Sequence, residues 1–481
     1  MNKVDSYVGF ASLPLCVTLS IPFILYFLYH LVLFPLFRSD LRSVPGPFLA
    51  KVTNLHRLLL VRTGLAHEHH LRLHERHGLF VRLGPNNVSV GSPAAIPILY
   101  NTRTRHIKSA FYPVMGNVAH GKVVPTIFST RDESVHEIMK RPIAQVYAMS
   151  NLKTYEPLVE STESLLISKL ENLADEERTF DLGTWLHWFA TDVIMEMTFG
   201  KRLGFLEREE DVDGILETIE GRFCVSPVLK FALKRIAERE NERHDQPEKR
   251  FQEQDFLSRF LDTKDSNPSI PDSWIISWCQ QNVQAGSDST AITLTQVIYH
   301  LLKYPDSMET LLAELDHADL PSPVPWDIAH KLPYLDSCIK EALRMTPAIG
   351  IPLERVAPVE GLELCGKYFK AGTVLGVNAW VVHRDKEVYG ADAALWRPGR
   401  WIEARQNERK EMQRGLFAFG GGSRICLGKN ISYLEMYKVI PEMLRRFKFE
   451  LINPQNEWSL KNGFFTYTKG VEVSVQRREN S

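Results

Sequence analysis

The sequence predicts a mostly helical body with small β-sheets, preceded by one apolar N-terminal helix able to span a membrane. Three observations predict it. Helical patterning dominates residues 274–315, 333–345 and 427–446. Short β-rich runs bounded by turn residues occur at 77–90 and 373–377. Residues 7–37 are almost wholly apolar, broken only by Ser12, Thr18, Ser20 and His30, and exceed the ~20 residues a helix needs to cross a bilayer.

The N-terminal run carries bulky Tyr26, Phe27, Tyr29, Phe34 and Phe37 where a cleaved signal peptide would have small residues. Pro14 and Pro35 bound the expected helix and Pro22 kinks it. Arg38 and Arg42 follow it, whereas Lys3 and Asp5 cancel before it, so the body is expected on the cytosolic side. The predicted organisation is an anchor and basic flank over 1–42, a semi-rigid Pro45-Gly46-Pro47 hinge within 43–47, and one body over 48–481.

Within the body, 77–90 reads as a hairpin around Gly84-Pro85-Asn86-Asn87. His67, His69, His70, His74 and His77 crowd one segment, but the zinc pattern His-Glu-x-x-His is broken at Leu71, so a solvated helix is expected there. Charge-dense 234–254 is expected as exposed helices and loops. Overall, 57 basic residues balance 58 acidic ones in 481, which gives no case for nucleic-acid binding. Hydrophobic (44%) and charged (24%) fractions exclude disordered and fibrous classes. Cys16, Cys224, Cys279, Cys338, Cys365 and Cys426 form no CxxC pair, consistent with a reducing compartment.

The string carrying chemistry is Phe419-Gly420-Gly421-Gly422-Ser423-Arg424-Ile425-Cys426-Leu427-Gly428. Consecutive glycines let the backbone turn tightly against a flat partner. Cys426 falls where the 427–446 helix begins, and a helix N-terminus favours the thiolate, a soft metal ligand. A phosphate loop would need Ser or Thr after Gly428-Lys429, and Asn430 stands there.

This string resembles, at every defining position, the heme-binding loop of the cytochrome P450 family of heme-thiolate monooxygenases. Glu341-Ala342-Leu343-Arg344 resembles the family's Glu-x-x-Arg motif, an i, i+3 pair on one helix face, and Pro398-Gly399-Arg400-Trp401 resembles the segment whose arginine joins that network. Ala285-Gly286-Ser287-Asp288-Ser289-Thr290 and the 255–261 segment look like fungal microsomal members, notably the pisatin-demethylase-like branch. The resemblance implies the cytochrome P450 fold, with heme b buried between the long central helix and the Cys-loop helix.

It implies Cys426 as axial iron ligand, with Cys224, Cys279, Cys338 and Cys365 structural, and Phe419 in the heme loop. Arg424 and Arg355 match positions that meet the heme propionates. His136 and Lys140 fall where many members carry Trp and Arg, with a surface-facing pair as the alternative. The family places an acid and a threonine over the heme; here Asp288 precedes Ser289 and Thr290, either of which is the relay hydroxyl. Ala285-Gly286 leaves room for dioxygen and locally opens the helix.

Electrons would come from NADPH through a separate flavoprotein reductase, docking on Lys429, Lys438, Arg409, Lys410 and Arg414. The expected pocket is lined by Phe111, Tyr112, Phe223 and Ile349 and takes a lipophilic small molecule. The expected activity is oxygen insertion at the endoplasmic-reticulum membrane, in fungal secondary metabolism or detoxification. Desaturation, dehydration or rearrangement on the same heme is one alternative, and a non-catalytic heme carrier or sensor another.

Overall fold

The computed structural model describes residues 40–119, 122–216, 227–245 and 255–478, together with 20–22, 25, 26 and 29. The apolar run at 7–37 lies almost entirely outside the described residues. Among the described residues, no helix is long and apolar enough to cross a membrane. The segment expected as a hinge is fastened to the body: Leu41 and Val44 are fully buried, and the Arg82 amide donates to Pro45 O at 2.7 Å.

In chain order, helices α1 (Phe48–Val52), α2 (Leu55–Arg62) and α3 (Ala66–His77) lead into strands β1 (Phe80–Gly84) and β2 (Asn87–Val90). Next come α4 (Glu133–Lys140), α5 (Glu156–Asp175), α6 (Leu182–Phe199), α7 (Pro227–Asp245) and α8 (Phe256–Ser266). Asp132, Asp181 and Asp255 cap α4, α6 and α8 by accepting first-turn amides. The 32-residue α9 (Asp272–Lys303) follows, then α10 (Pro305–His317) and α11 (Pro333–Met345). Pro305 divides the patterned 274–315 stretch into two helices. Strands β3 (Leu353–Val356) and β4 (Val374–Val377), helices α12 (Gln406–Gly415) and α13 (Lys429–Arg446), and strands β5 (Phe447–Leu451), β6 (Ser459–Asn462), β7 (Thr466–Lys469) and β8 (Glu472–Arg477) complete the body.

The main sheet runs β1-β2-β4-β3, with β2 and β4 parallel (Asn87 opposite Val374) and the outer pairs antiparallel. The predicted hairpin is therefore β1–β2, drawn into a larger sheet. β8 pairs with β5 and with the short strand Phe180–Asp181, and β6 with β7. The largest core packs α5, α6, α9, α11 and α13 together. Gly286 sets the approach of α9 to α6, since a Cβ there would lie 2.8 Å from Ile194 Cγ1. The helix is unbroken at this point, contrary to the local opening expected at Ala285-Gly286.

Two polarity readings are corrected. The histidine helix is not solvated: His67, His70 and His74 form its buried face, His67 against the Trp380 ring at 4.4 Å and His74 bonded to Ser89 Oγ at 2.8 Å. Among the described residues, no cluster of three ligating groups could hold a metal. The charge-dense segment is helical and mostly exposed over 234–245 as expected, with 246–254 outside the described residues. Arg235 and Arg239 are nevertheless buried, both donating to Phe199 O, and Arg239 pairs with Asp255 at 2.7 Å. Sequence charge marked these residues as surface, but carbonyl and carboxylate partners from other elements meet them inside.

Burial pushes His67 and His74 down to about 4 and His70 to about 3. Their folded-state values lie below the unfolded 6.5, so the stability they contribute is complete above pH 6.5 and is lost as pH falls from 6.5 toward 4. His67→Phe keeps the ring contact with Trp380 without a titrating group. It should melt like the parent at pH 7 and gain about 1–2 kcal/mol over it at pH 5, read from urea unfolding at both pH values.

Candidate active site

The loop before α13 takes the shape its glycines permit. Gly420 (φ +69°) and Gly422 (φ +67°) occupy the left-handed region, and a Cβ on Gly422 would lie 2.5 Å from Tyr100 O. The Cys426 amide donates to Phe419 O at 2.9 Å, closing the loop on itself. Helix α13 begins at Lys429, so Cys426 stands just ahead of the cap residue Gly428. Its side chain is accessible, with enough protein packed around it to desolvate the sulfur. Desolvation therefore raises the thiol pKa, while hydrogen bonds from the Gly428 and Lys429 amides lower it. The helix-start effect has the expected sign, but burial outweighs it. Cys279 and Cys338 are buried thiols pushed up by desolvation, Cys365 is half-buried, and Cys16 and Cys224 lie outside the described residues.

Beside the loop, basic side chains outnumber acidic ones. Arg424 donates to Glu133 on α4 (Nε–Oε1 2.8 Å) and to Ile127 O. Lys140, also on α4, donates to Ser423 O at 2.9 Å. Arg355 on β3 donates to Glu354 O and lies over the Tyr100 ring. Lys108, unmarked by any motif, is buried between the Tyr112 and Phe128 rings and donates to Phe128 O at 2.5 Å. Burial drives its pKa well below the usual lysine range, and Arg355 and Arg424 push the same way. Among the described residues, Lys108, Lys140 and Arg355 make no ion pair.

His136 and Lys140 are not a surface pair, because His136 is buried and Lys140 reaches the loop. Nor is His136 a cation: burial, then Arg424, Lys140 and Lys108, hold its pKa down to about 3. A buried surplus of positive charge is costly without anions to meet it. These donors fit a group carrying carboxylates, placed beside a sulfur able to bind metal.

On α9, Ala285 is exposed and Ser289, one turn on, is half-buried with Oγ donating to Ala285 O at 2.6 Å. Asp288 does not join them. Its fully buried carboxylate accepts from His187 Nε2 on α6 at 2.7 Å and from the Tyr467 hydroxyl on β7 at 3.3 Å. Thr290 is buried and shares a 2.8 Å hydrogen bond with Ser432 Oγ on α13, tying the two helices together. His187, Tyr467 and Ser432 carry no local signal; chain elements far apart in sequence bring them here. Phe464 is likewise unheralded. It stacks on Phe111 and meets Phe128 edge-on, while Ile349 bridges to Phe465 and Phe223 lies outside the described residues.

The Glu341–Arg344–Arg400 network forms as expected. Glu341 accepts from Arg344 (2.7 and 2.8 Å), Arg400 Nε (3.0 Å), Trp401 Nε1 (2.9 Å) and the Arg397 amide (3.0 Å). Burial would raise its pKa, but the arginine hydrogen bonds and charges more than offset that and hold it below the ordinary carboxylate range. Lys438 departs from expectation: it is fully buried, bonded to Glu156, Glu160 and Val324 O, and so belongs to no docking face. Its neighbour Glu163 is pushed up to about 8 by burial, against the pull of Lys438.

The chain matches the cytochrome P450 family over residues 45–475. It belongs to that family. Among its relatives is the cytochrome P450 monooxygenase cicH of Emericella nidulans, 41% identical over 487 residues, covering 94% of this chain and 98% of that protein. A cytochrome P450 monooxygenase of Aspergillus terreus is 38% identical, covering 93% and 97%. The Penicillium brevicompactum cytochrome P450 monooxygenase mpaDE is 37% identical over 91% of this chain, which spans 55% of that longer protein. The chain is thus an oxidoreductase, a cytochrome P450 monooxygenase, and heme with a thiolate ligand is the family's cofactor.

Glu341→Gln removes the charge that compensates two buried arginines. It should cost about 3–5 kcal/mol of stability in denaturant unfolding and reduce heme content on purification.

Proposed function

We propose that this cytochrome P450 inserts one oxygen atom of O2 into a lipophilic small molecule, with heme b held by the Cys426 thiolate and electrons drawn from NADPH through a separate flavoprotein reductase. The carrying observation is the accessible Cys426 at the end of a loop met by Lys140 and carrying Arg424, with Lys108 and Arg355 near Arg424. Those cations would hold the heme propionates, with His136 contributing as a neutral group. Bound there, heme supplies dioxygen activation, using two electrons and two protons per turnover and releasing the second oxygen atom as water.

The chain's residues divide the remaining work. Phe111, Phe128 and Phe464 offer an apolar aromatic wall for the substrate. Ser289 is the relay hydroxyl on the open side of α9, and Asp288, the preceding residue, turned toward α6 and β7, is the proton store. Thr290, committed to Ser432, holds α9 against α13. Keeping an acid and a hydroxyl at successive positions of α9 favours a dioxygen-consuming reaction over dehydration or rearrangement.

The reading includes an endoplasmic-reticulum anchor within 1–42 and a cytosolic body from 48 onward. Phe48, Leu55, Leu58 and Leu59 are exposed on α1 and α2, directly following the apolar run, and a lipid surface suits that patch. A step of fungal secondary metabolism or of detoxification suits the relatives' fungal sources. The test is purified protein with reductase, NADPH, labelled dioxygen and candidate lipophilic substrates; product carrying one labelled oxygen supports the proposal.

Cys426→Ala should abolish the thiolate-type absorption of the ferrous–CO form, and retention of that band would refute the ligand assignment. Ser289→Ala should raise peroxide released per NADPH several-fold at unchanged heme content. Thr290→Ala should stay coupled and lose about 1 kcal/mol of stability; the reverse pattern would reassign the hydroxyl.

A further inference from the structure

We propose that His187 is the port through which solvent protons reach Asp288, by way of a water-sized cleft beside it; this rests on the monooxygenase reading above. The Asp288 side chain has no exposure at all, whereas His187, bonded to it at 2.7 Å, is 13% exposed. A half-open cleft of about 30 Å³ adjoins both, lined also by Gly183, Thr295, Tyr467 and Thr468. That is room for about two waters, with hydroxyls to hold them. Tyr467 closes the far side by donating to the second carboxylate oxygen at 3.3 Å.

Gly183 keeps the cleft open. A Cβ there would sit 3.1 Å from Thr468 Oγ1 and 3.7 Å from Thr295 Cγ2, on the cleft wall. The geometry thus runs from solvent to an imidazole and from the imidazole to a buried carboxyl group on the residue preceding Ser289. Each turnover draws protons from inside the fold, and His187, part-exposed on one side and bonded to the carboxylate on the other, is placed to pass them from the cleft to Asp288. In the transfer the Nε2–H bond of protonated His187 breaks and an Oδ1–H bond forms on Asp288. The ring then regains a proton from cleft water, and no electrons move. His187 acts through Asp288 and is a positioning and proton-supplying residue.

His187→Gln separates supply from positioning, because an amide donates the same hydrogen bond but does not relay protons. The full-length, heme-loaded protein would be assayed with reductase, NADPH and a substrate it oxidises. His187→Gln should keep its heme content and ferrous–CO spectrum, release at least five-fold more peroxide per NADPH, and recover product when hydrogen peroxide replaces NADPH and O2. Independently of turnover, a crystal structure of the loaded protein should show one or two ordered waters bonded to Thr468 or Tyr467, and Gly183→Ala should remove them. A His187→Gln protein as tightly coupled as the parent, or a dry cleft in the parent, would overturn the port. Should His187→Gln fail to fold, Gly183→Ala carries the same coupling test. Should the parent form no oxygenated product, the monooxygenase reading fails, and the cleft waters alone decide the port.

Discussion

One buried carboxylate organises the elements that lead to the Cys426 loop. Glu341 receives five hydrogen bonds from four residues, and the Arg344 it holds donates onward to the carbonyls of His383, Ala393 and Leu395. His383 continues the line. Its Nδ1 donates to Arg344 O at 3.0 Å, so its Nε2 must accept, and it does so from the Phe417 amide at 2.7 Å. Phe417 is two residues from Phe419, whose carbonyl takes the Cys426 amide. Hydrogen bonds therefore run from α11 to the Phe417 amide with one tautomer, and two residues of chain carry the line to the carbonyl that holds the Cys426 amide. Burial keeps His383 neutral, its pKa pushed down to about 3, as this line requires.

What was legible in the sequence was local. The glycine string fixed its own loop because positive φ at Gly420 and Gly422 is a property of those residues. Helix α11 occupies the patterned Pro333–Met345 stretch, and the Glu341–Arg344 pair follows from helical spacing. What was illegible depended on partners far along the chain. His67 is a core residue because Trp380 covers it, and Lys438 is internal because Glu156 and Glu160 arrive from α5. Asp288 was found by its motif, but its direction was not, since α6 and β7 supply His187 and Tyr467.

Charge inside this protein is sorted by region. Around the Cys426 loop cations prevail, and burial weakens their hold on protons at Lys108, Lys140 and Arg424. Elsewhere on α5 and α13, Glu163 and Glu435 are buried, without hydrogen-bond partners among the described residues, and raised by desolvation. The fold thus holds both a region suited to anions and buried carboxyls whose pKa desolvation raises. Both arrangements cost folding free energy, and the apolar core of α5, α6, α9, α11 and α13 must offset them.

The glycine contact between α9 and α6 bears on how such an enzyme changes its preferences over time. With Gly286 seated against Ile194, those helices leave no slack for side chains to grow or shrink on that seam. The aromatic wall is different: Phe111, Phe128 and Phe464 sit outside regular helices and strands and touch one another by their rings. Drift in that wall can remodel a cavity while the helical chassis stays fixed. Relatives sharing well under half their residues with this chain can therefore keep one chemistry and diverge in what they oxidise.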